Sequence, residues 1–362
     1  MEIYIKFYII FFIVFLSAIF EFFFASRREQ LLISFFISLF LILIIGLRGN
    51  FDSDYPTYTQ IFNDVSYDNW DAFISSFDLN VEIFFVFLIM LLKVFFLGPQ
   101  SIFFLSALIS ISINWIYCIR LLPYPTLIFL GLLSHSFLYK EFTQIRHGIA
   151  GALCVASIFL LSQRKLRQAY ILQFFAIFFH SAAIFVSFFS IIYTLLPRKK
   201  FILLGSIVGM LLFLLGAHKA ILIISEYIYL PPSATIYFNS EYDYNLGILN
   251  PTLLKQVALI IFFFLCGKWL DIKDKLYLDL MSFYYISIIW LFSLNEFAIF
   301  AARLASFFGV LEVYLFSLLL YHVNNRVIKL ILFGSILIFY CAQFYLNINY
   351  KDIFSADYFL NL

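Results

Sequence analysis

Hydrophobic and polar positions fall in blocks along this chain. Runs long enough to cross ~30 Å of hydrocarbon lie at about 3–24, 31–47, 83–97, 101–119, 142–161, 201–217, 253–270, 276–294, 299–321 and 327–346. Each predicts a membrane-crossing helix. Two stretches do not fit the rule. Residues 126–138 are apolar but short for a span. Residues 168–196 are too long for one span and carry His180 and Ser181 in the middle, which predicts a hairpin of two short helices with His180 near its tip. Residues 219–252 begin amphipathic and continue through Pro231-Pro232 to Pro251, a pattern suited to a lid or groove lying along the membrane surface.

Composition leaves one solvent. With 64% apolar and 12% charged residues among 362, the chain has more apolar surface than a water-soluble domain can bury. The expected fold is an all-α, polytopic integral membrane helical bundle. It has about 10–12 transmembrane helices, some re-entrant or half-length, in a single domain over 1–362. Cys118, Cys154, Cys266 and Cys341 are widely spaced in apolar runs, without disulfide or metal spacing. The amino-terminal run lacks a signal peptide's basic region and cleavage site, so it reads as a retained span.

Charge supplies orientation. The clusters Arg27-Arg28, Arg164-Lys165-Arg167, Arg198-Lys199-Lys200, Lys268 with Lys273 and Lys275, and Arg326 with Lys329 hold 13 of the 23 basic residues. The positive-inside rule places them in the cytoplasm. The loops at about 48–82, with seven acids against one arginine, and 218–252 then lie outside, as do both termini. Parity before Arg146 requires 126–138 to re-enter from the outer side.

Ionisable groups within or beside spans are costly and mark candidate sites. Arg48 ends the second run and can grip a phosphate bidentately. Asp52 and Asp54 can position a hydroxyl, act as a base or hold a divalent cation, and Tyr55 and Tyr58 can stack on sugars. The alternative is an interfacial anchor with ordinary loop acids. Gln144, Arg146 and His147 open a helix whose Gly148 and Gly151 admit a close neighbour; here the alternative is a snorkelling arginine. His180 marks the hairpin tip, and Glu82 is a membrane-boundary carboxylate. Arg303 lies seven residues from Glu296, with Glu312 as a candidate buried partner, while Glu21 reads as a helix-end charge near Arg27. Three arginines facing one outer chamber suit a diphosphate. The chain lacks GxSxG, Walker, HExxH and dinucleotide-binding motifs, which disfavours a nucleotide-driven pump or an acyl enzyme. No nucleic-acid signature, metal cluster or cofactor motif is present.

Three runs in order carry a resemblance: Arg48 with Asp54-Tyr55, Tyr58 and Phe62; Gln144-Ile145-Arg146-His147-Gly148-Ile149-Ala150; and Ala176 to His180-Ser181-Ala182. With Glu82 opening the third run, residues 48 to about 185 resemble the bacterial Wzy-type polysaccharide polymerases of the EpsG-like family. Asp52 stands where that pattern has glycine, and His147 where glutamine is commoner. The resemblance implies a metal- and nucleotide-independent glycosyltransferase on the outer face of the bacterial inner membrane. It would join undecaprenyl-diphosphate-linked oligosaccharides by attack of an acceptor hydroxyl. A chain-length regulator and a flippase of the same pathway are the implied partners. Arg48, Arg146 and Arg303 then hold diphosphate, with Asp54, Asp52 or His180 as base and Asp54 preferred. The alternatives are a lipid-linked oligosaccharide flippase or transporter, disfavoured by the lack of an internal repeat, and an O-antigen ligase with the same chemistry.

Overall fold

A computed structural model of the chain describes residues 2–50, 52, 54–66, 81–216, 245–247 and 249–350. The described residues form α-helices joined by short turns, with no strand. Hydrocarbon offers backbone groups no partners, and a helix satisfies its own. The helices are α1 (Glu2–Phe24), α2 (Arg27–Gly46), α3 (Tyr55–Asp64), α4 (Ile83–Val94) and α5 (Gln100–Tyr117). Then come α6 (Pro125–His135), a π turn (Leu138–Thr143), α7 (Ile145–Ser162), α8 (Leu166–Phe179), α9 (Ile184–Leu195) and α10 (Arg198–Leu215). The last five are α11 (Pro251–Trp269), α12 (Lys275–Ser293), α13 (Ala298–Gly309), α14 (Leu311–His322) and α15 (Arg326–Tyr350). Among the described residues, eight spans are long and apolar enough to cross a membrane: α1, α2, α5, α7, α11, α12, the pair α13–α14, and α15. The chain is thus an all-α polytopic membrane protein.

Contacts between turns bring the basic clusters to one end. Arg27 donates to the carbonyls of Leu122 and Arg120, both at 2.6 Å. Lys329 lies over the Tyr124 ring. Lys275 donates to the Ser162 carbonyl at 2.6 Å, and Arg198 pairs with Asp279 of α12 at 2.9 Å. This is the asymmetry the charge pattern predicts. The amino-terminal part of α1 and the carboxy-terminal part of α15 lie together at the opposite end, where Asn349 donates to the Tyr8 hydroxyl at 2.8 Å.

Two expected crossings are corrected. The 83–97 run is not a span: α4 has 12 residues and is roughly 18 Å long. Both its flanks stay at the end opposite the basic clusters, with Lys93 donating to the Val65 carbonyl and Gln100 to that of Arg48. Consequently α5 runs down to the basic end. Residues 126–138 then enter from that end, not from the outer side. The α6 amino terminus is held by Glu21, whose carboxylate accepts the amides of Thr126 at 3.1 Å and Leu127 at 3.3 Å. Glu21, in the last turn of α1 and within electrostatic reach of Arg27 as expected, is also a buried cap of α6. With the π turn, α6 climbs back to α7, so both errors cancel before Arg146. The α8–α9 hairpin has the expected form, with His180 at its tip.

Of the two expected outer loops, residues 67–80 and 217–244 lie outside the described residues, including most of the candidate lid.

Candidate functional site

The polar break after α2 is not simply a loop. Asp52 Oδ1 accepts the amides of Asp54 and Tyr55, each at 3.0 Å, and Pro56 in the first turn needs no amide partner. These features start α3. Its Tyr55, Tyr58 and Phe62 share one helical face. That face packs on α4 and α5: Tyr55 stacks on Phe103 at 4.6 Å between centroids, and Tyr58 meets Phe85 at 5.7 Å. Gln100 locks the arrangement, accepting from the Tyr55 hydroxyl and donating to the Arg48 carbonyl, both at 3.0 Å.

Arg48 lies under this helix. Its Nε is 3.6 Å from Asp52 Oδ2, and both side chains are 0% exposed. The guanidinium carbon lies 4.2 Å from the Phe103 ring centroid and 5.0 Å from that of Phe142. None of the three guanidinium nitrogens has a hydrogen-bond partner among the described residues. Burial pushes the Asp52 carboxyl up to about 6, against the pull of Arg48 and the two amides. A buried charge so poorly compensated is expensive. Asp54 is half-buried at the head of α3.

A second group forms where α4, α7 and the hairpin tip meet. Glu82 accepts from Arg146 Nη1, from His180 Nδ1 at 3.0 Å and from the Ser181 amide at 3.4 Å. Burial alone would raise the Glu82 carboxyl, but the His180 hydrogen bond and the charges of Arg146 and His180 carry it down to about 2. An ionised carboxylate only accepts, so Nδ1 of His180 carries the proton and the lone pair of neutral His180 sits on Nε2. The Arg146 guanidinium lies 5.8 Å from the Tyr58 ring, so α3 joins this group to the first.

His147 extends the group inward. Its ring is 5.0 Å from that of His180 and 4.3 Å from Phe307. Ser306 Oγ donates to the Arg303 carbonyl at 2.7 Å, so it must accept from His147 Nε2 at 2.9 Å. Arg303 is near enough to His147 to act on it electrostatically. Gln144 stands at the amino cap of α7, half-buried. The structure therefore brings all the sequence candidates to one end of the bundle: Arg48, Asp52, Asp54, Tyr55 and Tyr58 around α3, and Glu82, Gln144, Arg146, His147, His180 and Arg303 around the α7 entry.

Three expectations change. Glu312 does not partner Arg303: it binds Lys255 at 2.8 Å, Tyr284 at 3.0 Å and His135 at 3.5 Å, deep among α6, α11, α12 and α14. Glu296 falls in the turn before α13, so its seven-residue separation from Arg303 is not two turns of one helix. Gly148 and Gly151 make room for the π turn, not for a separate helix. A Cβ on Gly148 would lie 2.8 Å from the Lys140 carbonyl oxygen, and one on Gly151 would lie 3.7 Å from Lys140 Nζ. Sequence reasoning passed over Ser306 and Gln100, lone polar residues in or beside apolar runs that no spacing distinguishes. Among the described residues, no three His, Cys, Asp or Glu side chains are placed to share a metal ion.

Comparison with known proteins agrees with the resemblance read from the sequence. The amylovoran biosynthesis protein AmsC of Erwinia amylovora is 26% identical over 352 residues, covering 92% of this chain and 89% of AmsC. No solved structure matches. The model of the EpsG family matches residues 31–361, which takes in every side chain of both polar groups. This chain belongs to the EpsG family.

Proposed function

We propose that this protein is a polysaccharide polymerase that joins oligosaccharide units carried on undecaprenyl diphosphate. Its working face is the end opposite the basic clusters, which the positive-inside rule turns away from the cytoplasm. The observation that carries the reading is Arg48: a fully buried guanidinium, held between aromatic rings, whose donors find no acceptor among the described residues. An anion with several oxygens, such as a diphosphate, would supply those acceptors.

In the proposed reaction, a hydroxyl oxygen of the acceptor unit attacks the anomeric carbon of the donor sugar. The carbon–oxygen bond to the lipid diphosphate breaks, and its electron pair leaves with the diphosphate. Arg48, aided by Arg303, neutralises the charge that develops there. The hydroxyl proton passes to Nε2 of His180. Glu82 supports this choice of base over Asp54, because it fixes the tautomer and orientation of the imidazole. Asp52 is less suited, since Oδ1 caps α3 and Oδ2 faces Arg48. Arg146 is a positioning residue in this scheme, with Glu82 already bound to it. Direct displacement inverts the anomeric centre.

The test is complementation of a polymerase-null strain of the source organism, with chain length resolved on gels. Wild type should restore a ladder of long chains. Arg48→Met should yield single repeat units while still inserting in the membrane. Long chains from Arg48→Met would overturn the reading, as would single units from wild type, which mean no polymerisation; total loss of surface glycan would point to a flippase or ligase.

A further inference from the structure

α3 has two faces, and only one packs on the bundle. The other borders a groove of about 380 Å³, lined by Asn50, Tyr55, Thr59, Gln60, Asn63 and Asp64. That volume falls within the roughly 300–1,000 Å³ typical of small-ligand clefts. A solvated helix face ordinarily carries Lys, Arg and Glu, which favour helix and water alike. α3 contains none of these three. Besides Pro56 in its first turn, its open face carries amides and a hydroxyl; Gln60 is a good helix former, but Thr59 and Asn63 are poor ones, on a helix of 10 residues that cannot sustain itself. Propensity therefore does not explain Thr59 and Asn63.

The chemistry of the lining does. Each amide side chain offers both a donor and an acceptor, the complement of adjacent hydroxyls on a sugar ring. Thr59 Oγ1 is buried with no hydrogen-bond partner among the described residues. The Tyr55 ring is a fixed wall, with its flat side on Phe103 and its hydroxyl held by Gln100. Asp64 is the single formal charge in the lining, which disfavours anionic sugars. Tyr55 also ties the groove to the buried arginine, since the Arg48 guanidinium lies 6.0 Å from its ring. A ligand in the groove would sit one side chain away from a diphosphate on Arg48.

We infer that the open face of α3 is a carbohydrate-binding site that receives neutral, hydroxyl-rich sugars of the repeat unit. The inference rests on the polymerase reading and adds where the glycan lies. Asn50, Gln60 and Asn63 are the specificity-determining side chains, and Tyr55 orients the sugar nearest the diphosphate.

The test uses full-length Asn63→Cys in detergent, labelled with a maleimide, with wild type as the blank for Cys266 and Cys341. The probe is the undecaprenyl-diphosphate-linked repeat unit extracted from a polymerase-null strain. At about five times its Kd it should slow labelling roughly sixfold, the 1 + [L]/Kd of single-site occupancy. Undecaprenyl diphosphate without sugar should leave the rate unchanged. Gln60→Ala with Asn63→Ala should raise KM for the repeat unit about tenfold, equivalent to ~1.4 kcal/mol, at unchanged kcat. If wild type polymerises the extract but neither labelling nor KM responds, the groove assignment falls and the polymerase reading stands. Equal protection by both lipids also overturns a sugar site. Protection without polymerisation keeps the groove and removes the polymerase. Neither protection nor polymer overturns both.

Discussion

Glu82→Gln isolates the charge at the centre of the second polar group. Glutamine keeps the shape, but it presents a donor where Arg146 and His180 also donate. The Glu82 side chain is 17% exposed, as is that of His180, against 26% for Arg146. Breaking a buried pair by removing one partner costs about 3–5 kcal/mol. A carboxyl carried from 4.5 to about 2 corresponds to on the order of 3 kcal/mol of coupling between that charge and its surroundings. Both routes give about 3 kcal/mol, the lower limit suiting the partial exposure. The pH dependence has a definite sign. The carboxyl is depressed in the folded state, so its contribution is complete above pH 4.5 and is lost as pH falls through about 2. Linkage leaves roughly 1.4 kcal/mol of it at pH 3. SDS-titrated unfolding of wild type and Glu82→Gln in detergent, at pH 7 and pH 3, measures both quantities. The gap should be about 3 kcal/mol at pH 7 and about half that at pH 3. A gap that stays the same at both values would assign the loss to packing and refute the electrostatic account.

Three further outcomes are expected. His180→Gln should lower kcat by about 10²–10⁴, the range of general-base contributions, with KM nearly unchanged; a KM effect alone would remove His180 as base. Asp52 is raised in the folded state from 3.8 to about 6, so its contribution is greatest at acid pH and is lost as pH rises through that window. Wild type should therefore lose roughly 2.4 kcal/mol relative to Asp52→Asn between pH 4 and pH 7, read by the same unfolding titration. Gly131→Ala puts a methyl 2.6 Å from the Tyr340 hydroxyl and 2.9 Å from Val313, whereas Gly334 has nothing within 4 Å. The first should cost about 1–3 kcal/mol and Gly334→Ala nothing comparable, as thermal melts would show.

The fold class was legible because composition alone requires the bilayer, and the hairpin because 168–196 is too long for one crossing and basic at both ends. The two misplaced segments had readable signals that hydropathy masked. The 83–97 run counts Phe95, Phe96 and Leu97 as helix, yet Phe96 has φ 58° and the chain turns there, just before Gly98-Pro99. Arg120, omitted from the basic clusters, would have put the end of α5 at the basic face, and the Pro123-Tyr124-Pro125 turn marks the restart. Tyr55, Tyr58 and Phe62 likewise have helical spacing inside what reads as a loop. Other features leave no local trace. Glu82 and Arg146 are 64 residues apart, and which acid meets which arginine depends on where half-length helices stop.

Those half-length helices also explain what the buried acids are doing. A helix that begins inside a membrane protein exposes amides that no water can satisfy. Asp52 caps the start of α3, Glu21 the start of α6, and Glu82 takes the Ser181 amide at the hairpin tip. Asp52, Glu21 and Glu82, ionisable groups in or beside membrane helices, therefore already have a backbone task. Cations have no such use at helix amino termini, which repel them; Arg27, Lys93 and Lys275 instead donate to backbone carbonyls. At the end opposite the basic clusters, Asp52 and Glu82 take backbone amides, while Arg48 has an ion pair at 3.6 Å and the rings of Phe103, Phe142 and Tyr55. Short helices thus draw Asp52 and Glu82 onto backbone amides and leave the Arg48 guanidinium with unused donors, whose natural complement is an anion.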